Sequence, residues 1–304
     1  MRFALSRLAR TVLTVFGVLS AVFFLVRLSG DPTVMLLPEQ ATQQQIAELR
    51  TALGLDRSLA VQYLRFLVQA VQGDLGVSLR QQAPALPLVL ERLPATLELA
   101  VTAFLLGLAL ALAAGLAIHV SGSGKLRAVL MWVAFSRQAI PVFLFGQLLI
   151  LLFSVQLHWL PSVGQGGIAN LLLPAATLAT YELGLYLRLF DAALGKEAGQ
   201  DYVRTARAKG QGRTRIILRH MLPNALLPLV TIAGINLGVL LGGTVVTESV
   251  FGWPGVGRLI VQAVSQRDYP VVIAGMLVVS VIFVLVNLVV DLLYTMLDPR
   301  VRLA

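Results

Sequence analysis

The 304-residue chain contains no cysteine, which excludes disulfides, thiolate metal sites and a cysteine nucleophile. Charged residues are also scarce: they make up 13% of the chain, whereas soluble globular proteins are typically about 25% charged. Hydrophobic residues make up 57%, and the mean hydropathy is +0.83. A chain with so few polar groups cannot cover its surface in water, so the composition predicts a protein embedded in lipid.

Histidine is rare as well. The three histidines, His119, His158 and His220, are too far apart in the sequence to indicate a metal cluster, so no metal site is predicted. The net charge of +9 raises the alternative of nucleic-acid binding. However, the basic residues cluster beside apolar segments, as membrane topology requires. We therefore predict contact with membrane lipid and no contact with nucleic acid.

Two glycine-rich segments lack the residues that a nucleotide site needs. The string Gly122-Ser123-Gly124-Lys125 has His119 and Leu126 where a phosphate-binding loop requires glycine and serine or threonine. The glycines in residues 252–257 do not fit the spacing of a dinucleotide-binding motif. The residues in and around these two segments predict neither a catalytic pair of carboxylates nor a nucleophile–base pair. We expect the chain to be non-catalytic and to bind no cofactor.

Six apolar segments are long enough to cross the roughly 30 Å hydrocarbon core of a membrane as helices. They cover residues 8–28, 96–119, 127–154, 168–190, 222–248 and 271–296. Helices are expected because backbone polar groups in lipid must be satisfied within each segment. No small-residue cleavage site follows the first segment, so we interpret it as an uncleaved helix. The predicted fold class is an all-α integral membrane protein.

Basic residues in the short loops predict that both termini are cytoplasmic. Residues 191–221 carry Lys196, Arg204, Arg207, Lys209, Arg213, Arg215 and Arg219, whereas the 155–167 loop has no base. The predicted organisation is an N-terminus with helix 1 (1–28), an extracytoplasmic insertion (29–95) and a core (96–304) that includes a cytoplasmic loop at 195–223. Within the insertion, residues 43–53 and 59–71 have amphipathic helical spacing. The insertion could contact a soluble partner or cap the helices.

Small residues at four-residue spacing indicate faces where helices approach closely in lipid. One such stripe, on the fifth span, is Gly234, Gly238 and Gly242. Another, on the second span, is Ala103, Gly107, Ala111 and Gly115. The spacing does not distinguish packing within this chain from packing against a partner subunit.

Arg137 and Glu182 are charged residues at membrane depth in the third and fourth spans. A buried charge there is costly and usually faces a partner or an aqueous cavity. Two interpretations stay open: each side chain snorkels or forms a structural pair, or both line the translocation path. Pro141 and Pro174 are expected to bend the same two spans or to mark their less regular ends.

The loop at 195–223 has internal structure. Residues 201–210 have the spacing of a short amphipathic helix, and Gly210 suits its C-terminal cap because glycine tolerates positive φ. A linker follows, and Pro223 suits the first turn of the fifth span. Charge and periodicity alone also allow an anchor to lipid headgroups.

The same loop resembles the EAA signature of importer-type ABC permeases, E-A-A-x3-G-x9-I-x-L-P. The matching residues are Ala206, Gly210, Leu222 and Pro223, and those that depart are Arg204, Thr205 and His220. The form D-Y-x-R-T-A-R-A-K-G, familiar in the peptide/nickel branch, is intact at 201–210. Further matching segments are 30–32, 53–56, 73–76, 159–161, 250–257, 267–270 and 287–291. The 29–95 segment resembles that of the first permease subunit in dipeptide, oligopeptide, glutathione and nickel importers.

The resemblance implies a type I ABC importer permease fold in a bacterial inner membrane. It also implies a second homologous permease in a heterodimer, two ATPases that bind ATP and magnesium, and an extracytoplasmic solute-binding protein. The loop helix would be the coupling helix, seated in a groove of an ATPase. The residues expected to couple are Tyr202, Arg204, Thr205, Ala206, Ala208, Lys209, Gly210, Leu222 and Pro223. Ala206 and Gly210 are expected to transmit most of the force.

The predicted solute is a small peptide. Within the family, the alternatives are permeases for nickel, metal chelates, opines or glutathione. An alternative from another class is an ion-driven secondary transporter in which Glu182 carries protons. Such a transporter would be expected to show inverted repeats, and none is visible in the sequence. A structural membrane scaffold is disfavoured by the match in the coupling loop.

Overall fold

The computed structural model describes residues 2–28, 42–52 and 54–297, which are helical apart from turns and an isolated β-bridge between Val77 and Pro84. The helices are α1 (Arg2–Leu28), α2 (Gln43–Ala52), α3 (Leu59–Val71), α4 (Ala85–Ser121), α5 (Gly124–Ala139), α6 (Val142–Gln156), α7 (Ile168–Ala198), α8 (Asp201–Ala208), α9 (Arg213–Val250), α10 (Val256–Ser265) and α11 (Tyr269–Leu297). Helix α6 is π-helical from Ile150, and α9 contains a π-helical turn at Ile217–Met221. The all-α prediction is confirmed for these residues.

Four helices are long and apolar enough to cross a membrane: α4, α7, α9 and the part of α11 that ends at Val290. Helices α5 and α6 together give a fifth candidate span. The first predicted span, residues 8–28, lies within α1, whose described apolar part, Leu13–Leu25, is shorter. The described residues thus contain four to five candidate spans, as expected for a multi-pass membrane protein.

The third predicted span, residues 127–154, is broken. Helices α5 and α6 meet at an angle of 108° around Ile140 and Pro141. Ile140 is extended (φ −91°, ψ 125°) because the α conformation is disfavoured before proline. The bend predicted at Pro141 is therefore confirmed. At Pro174, by contrast, helix α7 continues through the proline.

Two helices extend beyond the predicted spans. Helix α4 begins at Ala85, inside the segment predicted to be an insertion. Helix α7 continues to Ala198, through residues predicted to be loop. The reason is visible in α7, where Phe190 and Leu194 are fully buried, so the apolar face continues past the expected membrane boundary. The two amphipathic helices predicted at 43–53 and 59–71 are α2 and α3.

One compact unit consists of the described residues up to Ala95 together with Pro254–Val284. Its buried core includes Val22, Val89, Val256, Val271 and Ala274. Asp268, just before α11, accepts hydrogen bonds from the hydroxyl of Ser78 (2.5 Å) and the N–H of Leu79 (3.1 Å). These bonds hold the loop before α4 against the start of α11.

A second unit consists of Thr96–Trp253 and the described residues from Leu285 onward. Its core surrounds α7 and includes Ala111, Tyr186, Leu187, Phe190, Leu194, Val203 and Leu229. A Cβ at Gly107 would lie 3.1 Å from the carbonyl oxygen of Ala179, and one at Gly115 would overlap the Phe190 ring. The small-residue stripe of α4 therefore packs against α7 within this chain.

Candidate functional site

Helix α8 begins with an acidic residue and ends in a glycine cap. Asp201 places a negative charge in the first turn, at the positive end of the helix dipole. At the other end, the N–H of Gly210 donates to the carbonyl of Arg207 (2.9 Å) and that of Gln211 donates to Ala206 (3.2 Å). These are the paired bonds of the Schellman motif. Gly210 has φ +73°, so the prediction that it closes the helix is confirmed.

One face of α8 is buried in its own chain. Val203 is fully buried and Ala206 is 5% exposed, both within the apolar cluster around α7. The exposed residues among the predicted coupling positions are Tyr202, Arg204, Thr205, Ala208, Lys209 and Gly210. The outward face of α8 is therefore polar and basic. Ala206 packs inside the chain, not on a surface that a partner can reach.

The linker after α8 is shorter than predicted. Helix α9 begins at Arg213, with Gly212 at its N-cap position. The prediction that the helix restarts at Pro223 is wrong, because Pro223 lies inside α9, two residues after the end of the π-helical turn Ile217–Met221. A proline ring in an α-helix clashes with the preceding turn. The wider π turn accommodates it.

Tyr202 connects α8 to the long helices on either side of it. Its hydroxyl donates to the carboxylate of Glu197, near the end of α7, and accepts a hydrogen bond from Nδ2 of Asn224 in α9 (3.2 Å). Partial burial and the bond to Glu197 raise the pKa of the Tyr202 phenol. Tyr202 therefore remains a hydrogen-bond donor at neutral pH. Nearby in α9, Leu222 packs against the apolar cluster and Pro223 is exposed.

A polar cluster joins α4, α5, α7 and α9 close to α8. Asp191, 6% exposed, accepts two hydrogen bonds from the guanidinium of Arg127, at 3.0 Å from Nε and 2.8 Å from Nη2. It also lies 3.1 Å from Nε2 of His119. Arg213 Nε donates to the backbone carbonyl of His119 at 2.7 Å. The two Arg127 nitrogens share one carboxylate oxygen, Oδ2, in charge-assisted bonds that are stronger than neutral ones and join α5 to α7. The bond from Arg213 holds the start of α9 against the last turn of α4.

Sequence reasoning missed this cluster. Neither Asp191 nor Arg127 was singled out, and Arg213 was used only as a marker of topology. A signal for Asp191 exists, because it lies in a helical run with the apolar residues Leu187, Phe190 and Leu194, where a carboxylate requires a partner. Its partners are 64 and 72 positions away, beyond the range of helical periodicity.

A second buried carboxylate was also missed. Glu248 near the end of α9 is fully buried, and its Oε1 accepts a hydrogen bond from the hydroxyl of Thr96 in α4 (2.7 Å). Both helices are long apolar segments, so this bond lies between two candidate spans. Glu248 is the last residue of the predicted fifth span, 222–248, and the sequence analysis gave it no role.

Arg137 supports the bend between α5 and α6. Its guanidinium donates to the carbonyls of Ile140 (3.0 Å) and Thr177 (2.9 Å) and to the hydroxyl of Thr180 (3.1 Å). It also lies 3.8 Å from the centroid of the Phe145 ring, a cation–π distance. With 6% exposure and these partners, Arg137 has the environment expected of the structural interpretation.

Glu182 has a different partner. It is half-buried on α7 and accepts a hydrogen bond from Nδ2 of Asn236 in α9 (3.0 Å). This bond joins α7 to α9. Arg137 and Glu182 therefore belong to separate sets of contacts.

The glycine stripe of α9 has two environments. A Cβ at Gly234 would collide with the side chain of Val290 in α11, so this end packs within the chain. Gly238 is buried. Gly242 is exposed, and a Cβ there would meet nothing within 4 Å. The stripe thus runs from an internal contact to an open surface.

The histidines lie in separate environments. His119 is next to Asp191, whereas His220 lies 2.9 Å from the side-chain oxygen of Gln211 and His158 bonds the carbonyl of Gln156. Across 2–28, 42–52 and 54–297, no three His, Cys, Asp or Glu side chains come together as a potential metal site.

Two family models cover nearly the whole chain. The model described as "binding-protein-dependent transport system inner membrane component" matches residues 103–303. A companion model for the N-terminal part of the membrane component of such systems matches residues 1–100.

Full-length relatives agree with these models. The chain is 39% identical over 303 residues to the glutathione transport system permease protein GsiC of Escherichia coli O6:H1, a match that covers 99% of both chains. The GsiC protein of Salmonella paratyphi A is 38% identical over the same length.

Solved structures show the same fold. The MetNI methionine ABC transporter in an inward-facing conformation matches with a TM-score of 0.57 at 20% identity, covering 69% of this chain and 96% of that chain. An amino acid ABC transporter matches with a TM-score of 0.51 at 19% identity, covering 70% and 94%. The predicted type I importer fold is thereby confirmed. By its two family matches and its full-length relatives, the chain belongs to the inner-membrane components of binding-protein-dependent transport systems and is a permease subunit of an ABC importer.

Proposed function

We propose that this permease imports small peptides, glutathione among them, across the bacterial inner membrane. The observation that carries the proposal is the 39% identity to a glutathione permease along 99% of both chains. In this proposal the chain pairs with a second, homologous permease and works with two ATPases and an extracytoplasmic solute-binding protein. Both termini face the cytoplasm, and residues 29–95 face the opposite side.

Uptake by the reconstituted transporter tests the solute. The complete complex in proteoliposomes, with its binding protein, is expected to accumulate radiolabelled glutathione or dipeptides only when ATP is supplied to the ATPase side. Unlabelled peptide analogues should compete with the uptake of the radiolabelled solute. Accumulation of nickel or a metal chelate without any peptide uptake would instead favour the metal branch of the family.

We further propose that the chain is non-catalytic and binds no cofactor, with ATP and magnesium held by the ATPases. Support comes from the membership of a permease family and from the incomplete nucleotide motifs. The purified permease pair without ATPases is expected to hydrolyse no ATP above a protein-free control. Hydrolysis that persists in the pair would contradict this assignment.

The exposed face of α8 is the proposed docking surface for an ATPase. Arg204, Thr205 and Lys209 lie on this face, while Val203 and Ala206 anchor the opposite face in the apolar cluster. A load on the exposed face would therefore be passed to α7 and α9 through the buried face and through Tyr202. In this arrangement Ala206 transmits force by packing inside the permease rather than by touching the ATPase.

Charge reversal on this face tests the docking surface. Arg204→Glu is expected to reduce co-purification of the ATPases and ATP-dependent uptake while the permease still inserts in the membrane. Arg80→Glu, which changes another exposed arginine in the segment proposed to be extracytoplasmic, is the matched control. Equal retention of the ATPases by both variants would exclude Arg204 from the interface.

Glu182 remains the proposed candidate for the translocation path, whereas Arg137 is proposed to support the bend at Pro141. Glu182 is half-buried and joined to Asn236. Glu182→Gln retains a side chain that can bond Asn236, so it is expected to change uptake without lowering the amount of permease. Arg137→Gln is expected to lower thermal stability first, because it removes three hydrogen bonds at once. Unchanged uptake in Glu182→Gln would remove Glu182 from the path.

A further inference from the structure

Helix α3 carries two apolar faces, although sequence analysis placed it in an extracytoplasmic insertion. One face contacts α1: Tyr63 Oη lies 2.6 Å from Ser20 Oγ, and the Phe66 ring stacks on Phe23 with centroids 5.3 Å apart. On the same side, Ala70 packs against the apolar cluster of the first unit. This face accounts for the attachment of α3 to the protein.

The second apolar face of α3 is exposed. Val61, Leu64, Val68 and Val71 follow each other at spacings of three and four residues, which places them on one side of the helix. Their exposed fractions are 41%, 62%, 58% and 89%. A polar stripe lies between this exposed face and the face that contacts α1; it is formed by Gln62, Arg65, Gln69 and Gln72. Arg65 is its one charged residue.

The surroundings of α3 are those of membrane-spanning helices. The cluster that receives Ala70 also contains Val271 and Val278, which belong to the apolar span of α11, as well as Val22 of α1. On α1, the Phe24 ring lies 5.3 Å from the Tyr63 ring, and Phe16, Phe24 and Leu25 are exposed apolar side chains. Helix α3 therefore packs against the apolar part of α1 and against a cluster that includes the apolar span of α11.

We propose that α3 is an interfacial helix, and that lipid acyl chains cover its Val61–Leu64–Val68–Val71 face. An amphipathic helix, with an apolar face and a separate polar face, lies in the plane of the membrane interface. The amides of the stripe and the long arginine side chain can reach the headgroups and water. The stripe carries no acidic residue and a single base, so it offers little charge for a soluble protein partner to recognise.

The absence of native cysteine permits a direct test on the complete transporter. Single-cysteine variants Leu64→Cys and Val68→Cys carry a polarity-sensitive fluorophore in proteoliposomes, and Gln69→Cys on the polar stripe is the matched control. Lipids with a doxyl group on the acyl chain are expected to quench positions 64 and 68 more than aqueous iodide does. At position 69, aqueous iodide is expected to quench more than the doxyl lipids do. Retained ATP-dependent uptake shows that the labelled transporters are intact, and Val71→Cys, the most exposed position, replaces any variant that loses uptake.

Two results would overturn the lipid assignment. If iodide quenches positions 64 and 68 as strongly as position 69, the face lies in water. If neither quencher reaches them, or if adding the solute-binding protein shields them, another protein covers the face. Neither result bears on the docking surface of α8 or on the solute, so this inference stands or fails independently of the proposed function.

Discussion

Arg213 Nε donates a 2.7 Å hydrogen bond to the backbone carbonyl of His119, and this bond connects the first residue of α9 to the last turn of α4. The two residues are 94 positions apart. His119 in turn lies beside Asp191, which holds Arg127 of α5. In the proposed coupling, a movement of α8 that shifts the start of α9 would load α4 directly, and α7 and α5 through His119 and Asp191.

Arg213→Ala removes the bond that begins this chain of contacts. This bond is exposed to solvent, so we expect it to contribute about 1 kcal/mol and its loss to weaken the coupling between α9 and α4. The amount of solute imported per ATP hydrolysed in proteoliposomes is expected to fall several-fold. Arg215→Ala, an exposed arginine two residues away, is the control and should leave the ratio unchanged. Equal ratios in both variants would contradict a coupling role for Arg213.

Asp191→Asn removes the buried charge that Arg127 and His119 share. Because a neutral amide cannot replace the charge-assisted pair, we expect a loss of about 1–3 kcal/mol in stability. A lower melting temperature of the detergent-purified complex would report it. The control is Asp201→Asn, whose carboxylate is 95% exposed and pairs with Arg204 at 3.4 Å. Such surface pairs contribute about 1 kcal/mol or less, so the control should melt close to the native protein.

Gly210→Ser and Gly212→Ser introduce the same side chain on either side of Gln211. Gly210 has φ +73°, where a side chain costs about 1–2 kcal/mol. Gly212 has φ −68° and occupies the N-cap position of α9, which favours serine. We expect Gly210→Ser to lower both stimulated ATPase activity and uptake, and Gly212→Ser to preserve them. A loss in both variants would indicate that any added side chain disturbs the loop, irrespective of backbone conformation.

Gly234→Ala and Gly242→Ala separate packing inside the chain from packing against a partner. The added methyl group at position 234 meets Val290, and overpacking of this kind costs about 1–3 kcal/mol. The group at position 242 meets nothing in this chain. Only Gly234→Ala should therefore lower the melting temperature of the permease expressed alone. If the second permease covers Gly242, Gly242→Ala will weaken co-purification of that subunit; unchanged co-purification would argue against an interface there.

The helices of this protein follow from sequence patterns that act over a few residues. Apolar runs predicted most of the spans, and Gly210 was recognised as a helix cap because its only requirement is local backbone freedom. The restart at Pro223 was wrong, since a local rule for proline in the first turn was applied where a π turn lets the helix begin at Arg213. The extension of α7 to Ala198 was missed because Phe190 and Leu194 bury against other helices rather than in lipid.

By itself the sequence determined that the protein is embedded in lipid, that it is helical and which family it belongs to. The lipid environment follows from composition, the helices from the length of the apolar runs, and the family from short motifs. Only the tertiary structure decided where the side chains of residues 201–210 lie. Ala206 is buried and Arg204 exposed because α8 packs on the core around α7, and Asp191 meets Arg127 and His119 because three helices converge. Contacts between residues 64 to 94 positions apart carry no periodic signal, so they become visible only when the helices are packed.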